Sequence, residues 1–124
     1  MARILVVDDS GLSRQISRKI LEEAGHEVVE AQDGMTALER YFLDKPDLVL
    51  LDITMKGMSG FEVLEKLREL DGNARVVIAT ADVQASTREM TRQGGALGFV
   101  TKPLQGPQVL RSVEAVLQGE TLWN

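Results

Sequence analysis

Five polar residues stand where short aliphatic runs end, and together they could handle a phosphoryl group. Asp8 and Asp9 follow Ile4-Leu5-Val6-Val7, Asp52 follows Leu48-Val49-Leu50-Leu51, Thr80 follows Val76-Val77-Ile78-Ala79, and Lys102 follows Phe99-Val100-Thr101. An unbroken aliphatic run of this length reads as a strand buried on both faces of a parallel sheet. The residue just past it is carried to the rim, where open α/β sheets bind their ligands. Strands one and three as neighbours would bring three carboxylates together. At about 5 Å and an effective dielectric of ~20, each pair repels by roughly 3 kcal/mol, a large cost in a domain stable by ~5–15 kcal/mol. A hard divalent cation with oxygen ligands relieves this: Mg²⁺ first, Mn²⁺ as the alternative. A carboxylate is also a competent nucleophile, yielding an acyl phosphate on phosphoryl transfer. Cation, lysine and hydroxyl would then cradle the phosphoryl oxygens. Asp52 stands alone and is the expected acceptor. Asp8-Asp9 is the pair suited to metal, Lys102 neutralises acceptor and product, and Thr80 hydrogen-bonds a phosphoryl oxygen.

The elements that must position these residues form a βα unit repeated five times. Strands are predicted at 3–7, 26–31, 47–52, 75–79 and 97–100. The alternation of 26–31 marks an edge strand. The first helix carries Leu12, Ile16, Ile20 and Leu21 and stops at Gly25. Asp33 caps the second, which carries Ala37, Leu38, Tyr41 and Phe42. Ser59 and Glu62 form a capping box for the third, which should bury Phe61, Leu64 and Leu67. The fourth, at 82–93, is poorly apolar, with Val83 and Met90 as its inward candidates. Pro107 suits the first turn of the fifth, whose stripe is Val109, Leu110, Val113, Val116 and Leu117. The predicted fold class is a three-layer, doubly wound α/β domain with a five-stranded parallel sheet. Its order, 2-1-3-4-5, is taken over from flavodoxin-like folds of this size. Residues 1–119 are the domain and 120–124 a loose tail.

Composition narrows the function further. A chain of 124 residues with 44% hydrophobic and 27% charged residues has the make-up of one soluble globular domain. There is no cysteine for a disulfide, thiolate site or thiol nucleophile. A net charge of −5 argues against nucleic-acid binding. No apolar run reaches membrane-spanning length, and a strand begins at Arg3 with no room for a signal peptide. The expected location is cytoplasmic.

Val6-Val7-Asp8-Asp9-Ser10, Leu50-Leu51-Asp52-Ile53, Thr80-Ala81, Gly95-Ala96 and Phe99-Val100-Thr101-Lys102-Pro103 stand in one order across nearly the whole chain. In that order and spacing the sequence resembles the receiver domain of two-component response regulators, in its stand-alone, single-domain form. The resemblance implies that a phosphohistidine on a sensor kinase or histidine phosphotransfer protein donates a phosphoryl group to Asp52. It implies that Asp9 and Asp52 bind Mg²⁺ directly, Asp8 mainly through a water, and that the Thr54 carbonyl completes the set. Lys102-Pro103 is implied to be cis. Thr80 and Phe99 match the switch pair, behind which the face of helix four, strand five and helix five changes partners. Thr54 and Asp82 match the positions that tune dephosphorylation. The family's usual proline four residues past the acceptor is Lys56 here, followed by Gly57. Phe99 replaces the usual tyrosine. Output is expected to pass to a separate protein: a flagellar motor switch, a phosphorelay histidine domain or a kinase in trans.

A different class of function is a small Mg²⁺-dependent phosphatase or a flavin or nucleotide carrier. The sequence has neither G-x-x-x-x-G-K nor G-x-G-x-x-G, which weighs against nucleotide binding. His26 reads as an exposed strand-start residue, Met55 and Met58 as loop packing, and Trp123 as a tail residue resting on the surface.

Overall fold

The structure, a computed structural model, describes residues 1–123. Five strands, β1 (Arg3–Val7), β2 (Glu27–Ala31), β3 (Leu48–Leu51), β4 (Val76–Thr80) and β5 (Gly98–Thr101), alternate with five helices. These are α1 (Gly11–Glu23), α2 (Gly34–Asp44), α3 (Gly60–Leu70), α4 (Ala85–Gln93) and α5 (Gly106–Leu117). The sheet is parallel, in the order β2-β1-β3-β4-β5, as expected. Val7 is paired with Leu51, so Asp8 and Asp52 leave adjacent strands at one level.

Alternate residues of the buried strands feed two cores. Leu5, Val7, Val49, Leu51, Val76, Ile78 and Phe99 pack with Ala37 of α2 and Val63, Leu64 and Leu67 of α3. Ile4, Val6, Leu48, Leu50, Val77 and Val100 pack with Leu21 of α1 and Val109, Val113 and Val116 of α5. Each fully buried Leu or Val contributes about 1.5–3 kcal/mol. Three of the helices start at side-chain caps. Ser10, Asp33 and Ser59 accept from the backbone N–H groups of Ser13, Thr36 and Glu62.

Gly60 opens α3 directly beside the residues that follow β3. Its N–H donates to the Ile53 carbonyl at 3.0 Å. A Cβ there would collide with the Asp52 carbonyl oxygen and the Ile53 backbone. No side chain other than hydrogen lets α3 come this close.

Five expectations need correction. Leu12 and Ile16 of α1 lie exposed, and Ser17 takes the buried place beside Leu21. Phe42 is exposed, and Phe61 is only partly buried where Val63 is fully buried. α4 starts at Ala85 rather than at 82, and Val83 (64% exposed) and Met90 (54%) point outward. Thr87 and Thr91 face inward instead, because their hydroxyls find partners close by: Asp82 Oδ2 at 2.6 Å and the Arg88 carbonyl at 2.9 Å. His26 is buried, its Nδ1 accepting from the Ala2 N–H at 3.2 Å. The tail is docked: the Leu122 N–H donates to the Leu97 carbonyl at 2.9 Å, and Leu122 bridges Gly98 in parallel. Asn124, the last residue of the expected tail, lies outside the described residues.

Candidate functional site

The C-terminal ends of β1, β3 and β5 bring Asp8, Asp9, Asp52 and Lys102 together, and Thr80 is the last residue of β4, the strand between β3 and β5. Carboxylate oxygens of Asp8, Asp9 and Asp52 all lie within 4.8 Å of one another. Asp8 and Asp52 are buried and Asp9 is exposed. Lys102 reaches across from the end of β5. Its Nζ donates to Asp8 Oδ2 at 2.6 Å, to Asp52 Oδ2 at 3.4 Å and to Ser13 Oγ at 3.4 Å. The Lys102-Pro103 bond is cis.

Backbone donors hold three further oxygens. Ser10 N–H donates to Asp8 Oδ1 at 2.9 Å, Thr54 N–H to Asp52 Oδ1 at 3.2 Å, and Lys56 N–H to Asp9 Oδ2 at 3.3 Å. The Asp8 carbonyl accepts from Arg14 Nη1 at 2.7 Å, and Arg14 Nε is in turn held by Glu30 at 2.9 Å. Thr80 is fully buried, and its Oγ1 accepts from the Asp82 N–H at 3.2 Å. The Asp82 carboxylate ties down the start of α4, accepting from Thr87 Oγ1 and, at 3.0 Å, from the Gln84 N–H.

Burial pushes the Asp52 carboxyl above its ordinary pKa, helped by the Asp8 charge and only partly offset by Lys102 and the Thr54 N–H. Burial pulls the Lys102 ammonium down, but its hydrogen bond to Asp8 and the charges of Asp52 and Asp8 outweigh this and raise it. One ammonium thus faces three carboxylates. The donors are all hard oxygens, and the spare negative charge suits a small divalent cation, which would also favour ionised Asp52.

Sequence reasoning missed two contributors, Ser13 and Arg14, and expected of Lys56 a different part. Ser13 touches Lys102, Arg14 clamps the Asp8 backbone, and Lys56 takes part through its N–H rather than its side chain. Ser13 and Arg14 lie in the first turn of α1 as ordinary polar helix residues, so no local pattern sets them apart. Phe99 is 2% exposed, with the Trp123 ring tilted against it by 31° at 5.7 Å between ring centroids.

Comparison with known proteins agrees with this geometry. The family described as the response regulator receiver domain matches residues 4–114. The chain belongs to the response regulator receiver family. Chemotaxis protein CheY of Bacillus subtilis is 40% identical over 116 residues, covering 93% of this chain and 97% of that protein. Sporulation initiation phosphotransferase F of the same organism is 32% identical over 115 residues, with 93% of each chain covered. A LuxR-family two-component response regulator from Aurantimonas sp. SI85-9A1 superposes with a TM-score of 0.93 at 34% identity, covering 98% of this chain and 89% of that one. As a receiver domain the protein accepts a phosphoryl group and signals to partner proteins. Receiver domains generally bind Mg²⁺ at an acidic site, and Asp8, Asp9 and Asp52 form an acidic cluster whose oxygens could hold such an ion. No helix of the described residues is long and apolar enough to cross a membrane.

Proposed function

We propose that Asp52 is the phosphoacceptor, that Lys102 and Thr80 serve the transferred group, and that α4, β5 and α5 form the output face. The observation that carries this is the position of Lys102 Nζ, 2.6 Å from Asp8 and 3.4 Å from Asp52. The Asp52 carboxylate attacks the phosphorus of a phosphohistidine on a sensor kinase or histidine phosphotransfer protein. A P–O bond forms and the P–N bond breaks. Its electron pair leaves with the imidazole, kept neutral by the proton on its other nitrogen. Asp8, Asp9, Asp52 and the Thr54 carbonyl would hold Mg²⁺, which when bound neutralises charge on the phosphoryl oxygens.

Lys102 is already placed beside the acceptor, so its ammonium needs little reorganisation as charge builds on the product. Thr80 offers its hydroxyl hydrogen to a phosphoryl oxygen, exchanging its present role as acceptor from the Asp82 N–H. That exchange reaches α4 through Asp82 and Thr87. Phe99 follows as the second member of the switch. Thr54 and Asp82 stand where a hydrolytic water would be admitted or refused and tune autodephosphorylation, while Lys56 contacts the incoming donor. The setting is cytoplasmic, and output passes to another protein rather than to nucleic acid.

Incubation with Mg²⁺ and acetyl phosphate should add one phosphoryl mass to the wild type and none to Asp52→Asn. An unmodified wild type, or an equally modified variant, sinks the assignment.

A further inference from the structure

The described C-terminus closes an edge that the sheet would otherwise leave open. β5 is the last strand of the order, so one side of its backbone has no strand partner. Such an edge is a ready template for an added extended segment. Leu122 takes that place, bridging Gly98 in parallel and donating its N–H to Leu97. Trp123 then lies over Phe99 and meets two cations of α4. The Arg88 guanidinium is 5.9 Å from the Trp123 ring centre and 4.9 Å from that of Phe99, and the Arg92 guanidinium is 4.7 Å from Trp123. Both distances to tryptophan fall within cation–π range. The segment thus binds as an extended ligand does, by one strand pairing and one aromatic anchor.

We infer that residues Leu122 and Trp123 are a cis-acting ligand of the β5 edge and α4, released when the acceptor is phosphorylated. The inference rests on the proposed roles of Asp52 and Thr80. The link between the two ends is continuous in the structure. Thr80 Oγ1 accepts from the Asp82 N–H, the Asp82 carboxylate holds Thr87, and the next residue is Arg88, which spans Phe99 and Trp123. A Thr80 hydroxyl drawn to the phosphoryl group loosens the Asp82 anchor of α4 and shifts Arg88 away from the tail. A partner docking on this face must displace Trp123. By linkage, the docked tail opposes phosphorylation as strongly as phosphorylation opposes docking.

Trp123 is the chain's only tryptophan, so its fluorescence reports the tail alone. In the unphosphorylated protein its emission should be blue-shifted and shielded from acrylamide. Arg92→Gln, a change at an exposed position, should loosen it. Mg²⁺ with acetyl phosphate should shift the release equilibrium by about fivefold or more, the low end of typical coupling. Asp52→Asn should show no shift. Trp123→Ala should raise the phosphorylated fraction at subsaturating acetyl phosphate. Masses are read on the same samples. A phosphoryl mass gain with unchanged Trp123 quenching overturns the latch and leaves the acceptor assignment intact. An absent mass gain overturns both. A Trp123 as quenchable as free tryptophan before phosphorylation overturns the docking itself.

Discussion

Lys102 Nζ lies closer to Asp8 than to the expected acceptor, at 2.6 Å against 3.4 Å for Asp52. Asp8 thus fixes the ammonium, and Asp52 keeps a looser contact compatible with attack on phosphorus.

Replacing Lys102 with Met removes the ammonium that stands 3.4 Å from Asp52, the proposed acceptor. The rate of phosphorylation by acetyl phosphate should fall by about 10²–10³, the usual cost of losing one such donor. Single-time-point masses across a time course measure it, and a rate within a few-fold of wild type contradicts the role.

Divalent cation should stabilise the folded state through the three carboxylates. At 100 times its dissociation constant the gain is about 2.7 kcal/mol, read as a higher Tm in Mg²⁺ than in EDTA. Asp9→Asn should shrink that gain without harming the metal-free protein, because Asp9 is exposed and its removal relieves repulsion.

Glu30 gives a pH signature. Burial would raise its pKa, but the hydrogen bonds from Arg18 (2.7 Å) and Arg14 (2.9 Å) outweigh this and hold it below the ordinary value. A depressed carboxyl stabilises the fold fully above its unfolded pKa, near about 4.3, and loses that contribution as pH falls through the lower folded value. Urea midpoints should therefore separate wild type from Glu30→Gln at pH 7 and converge in acid. Equal gaps at both pH values count against the ion pairs.

Core truncation should act through packing alone. Leu50 is 2% exposed in the central strand, and Leu50→Ala should cost about 2–5 kcal/mol. Urea denaturation measures it, and a loss below 1 kcal/mol would mean that the site collapses freely around the missing methyls.

The strands and the crevice were legible because aliphatic runs and polar strand ends are local patterns. Leu48 to Leu51 needed no partner to be read as buried, and Asp8, Asp52 and Lys102 followed from where strands stop. What stayed hidden depends on side-chain partners that apolar patterning does not register. Thr87 and Thr91 bury because Asp82 and the Arg88 carbonyl satisfy them, so apolar patterning favoured the wrong residues, Val83 and Met90. His26 is buried through a contact with Ala2, 24 positions away. Trp123 needs Phe99, Arg88 and Arg92 in place before its docking has any meaning.

The hydrogen at Gly60 has a mechanical consequence. With α3 pressed against the Asp52 and Ile53 backbone, the ground beneath the acceptor cannot yield. Charge added to Asp52 therefore finds no relief downward. On the proposed function, what moves is the opposite bank of the crevice: Thr80, Asp82 and the start of α4. On that reading the molecule is an anvil with one soft side, its output direction set by where it is stiff.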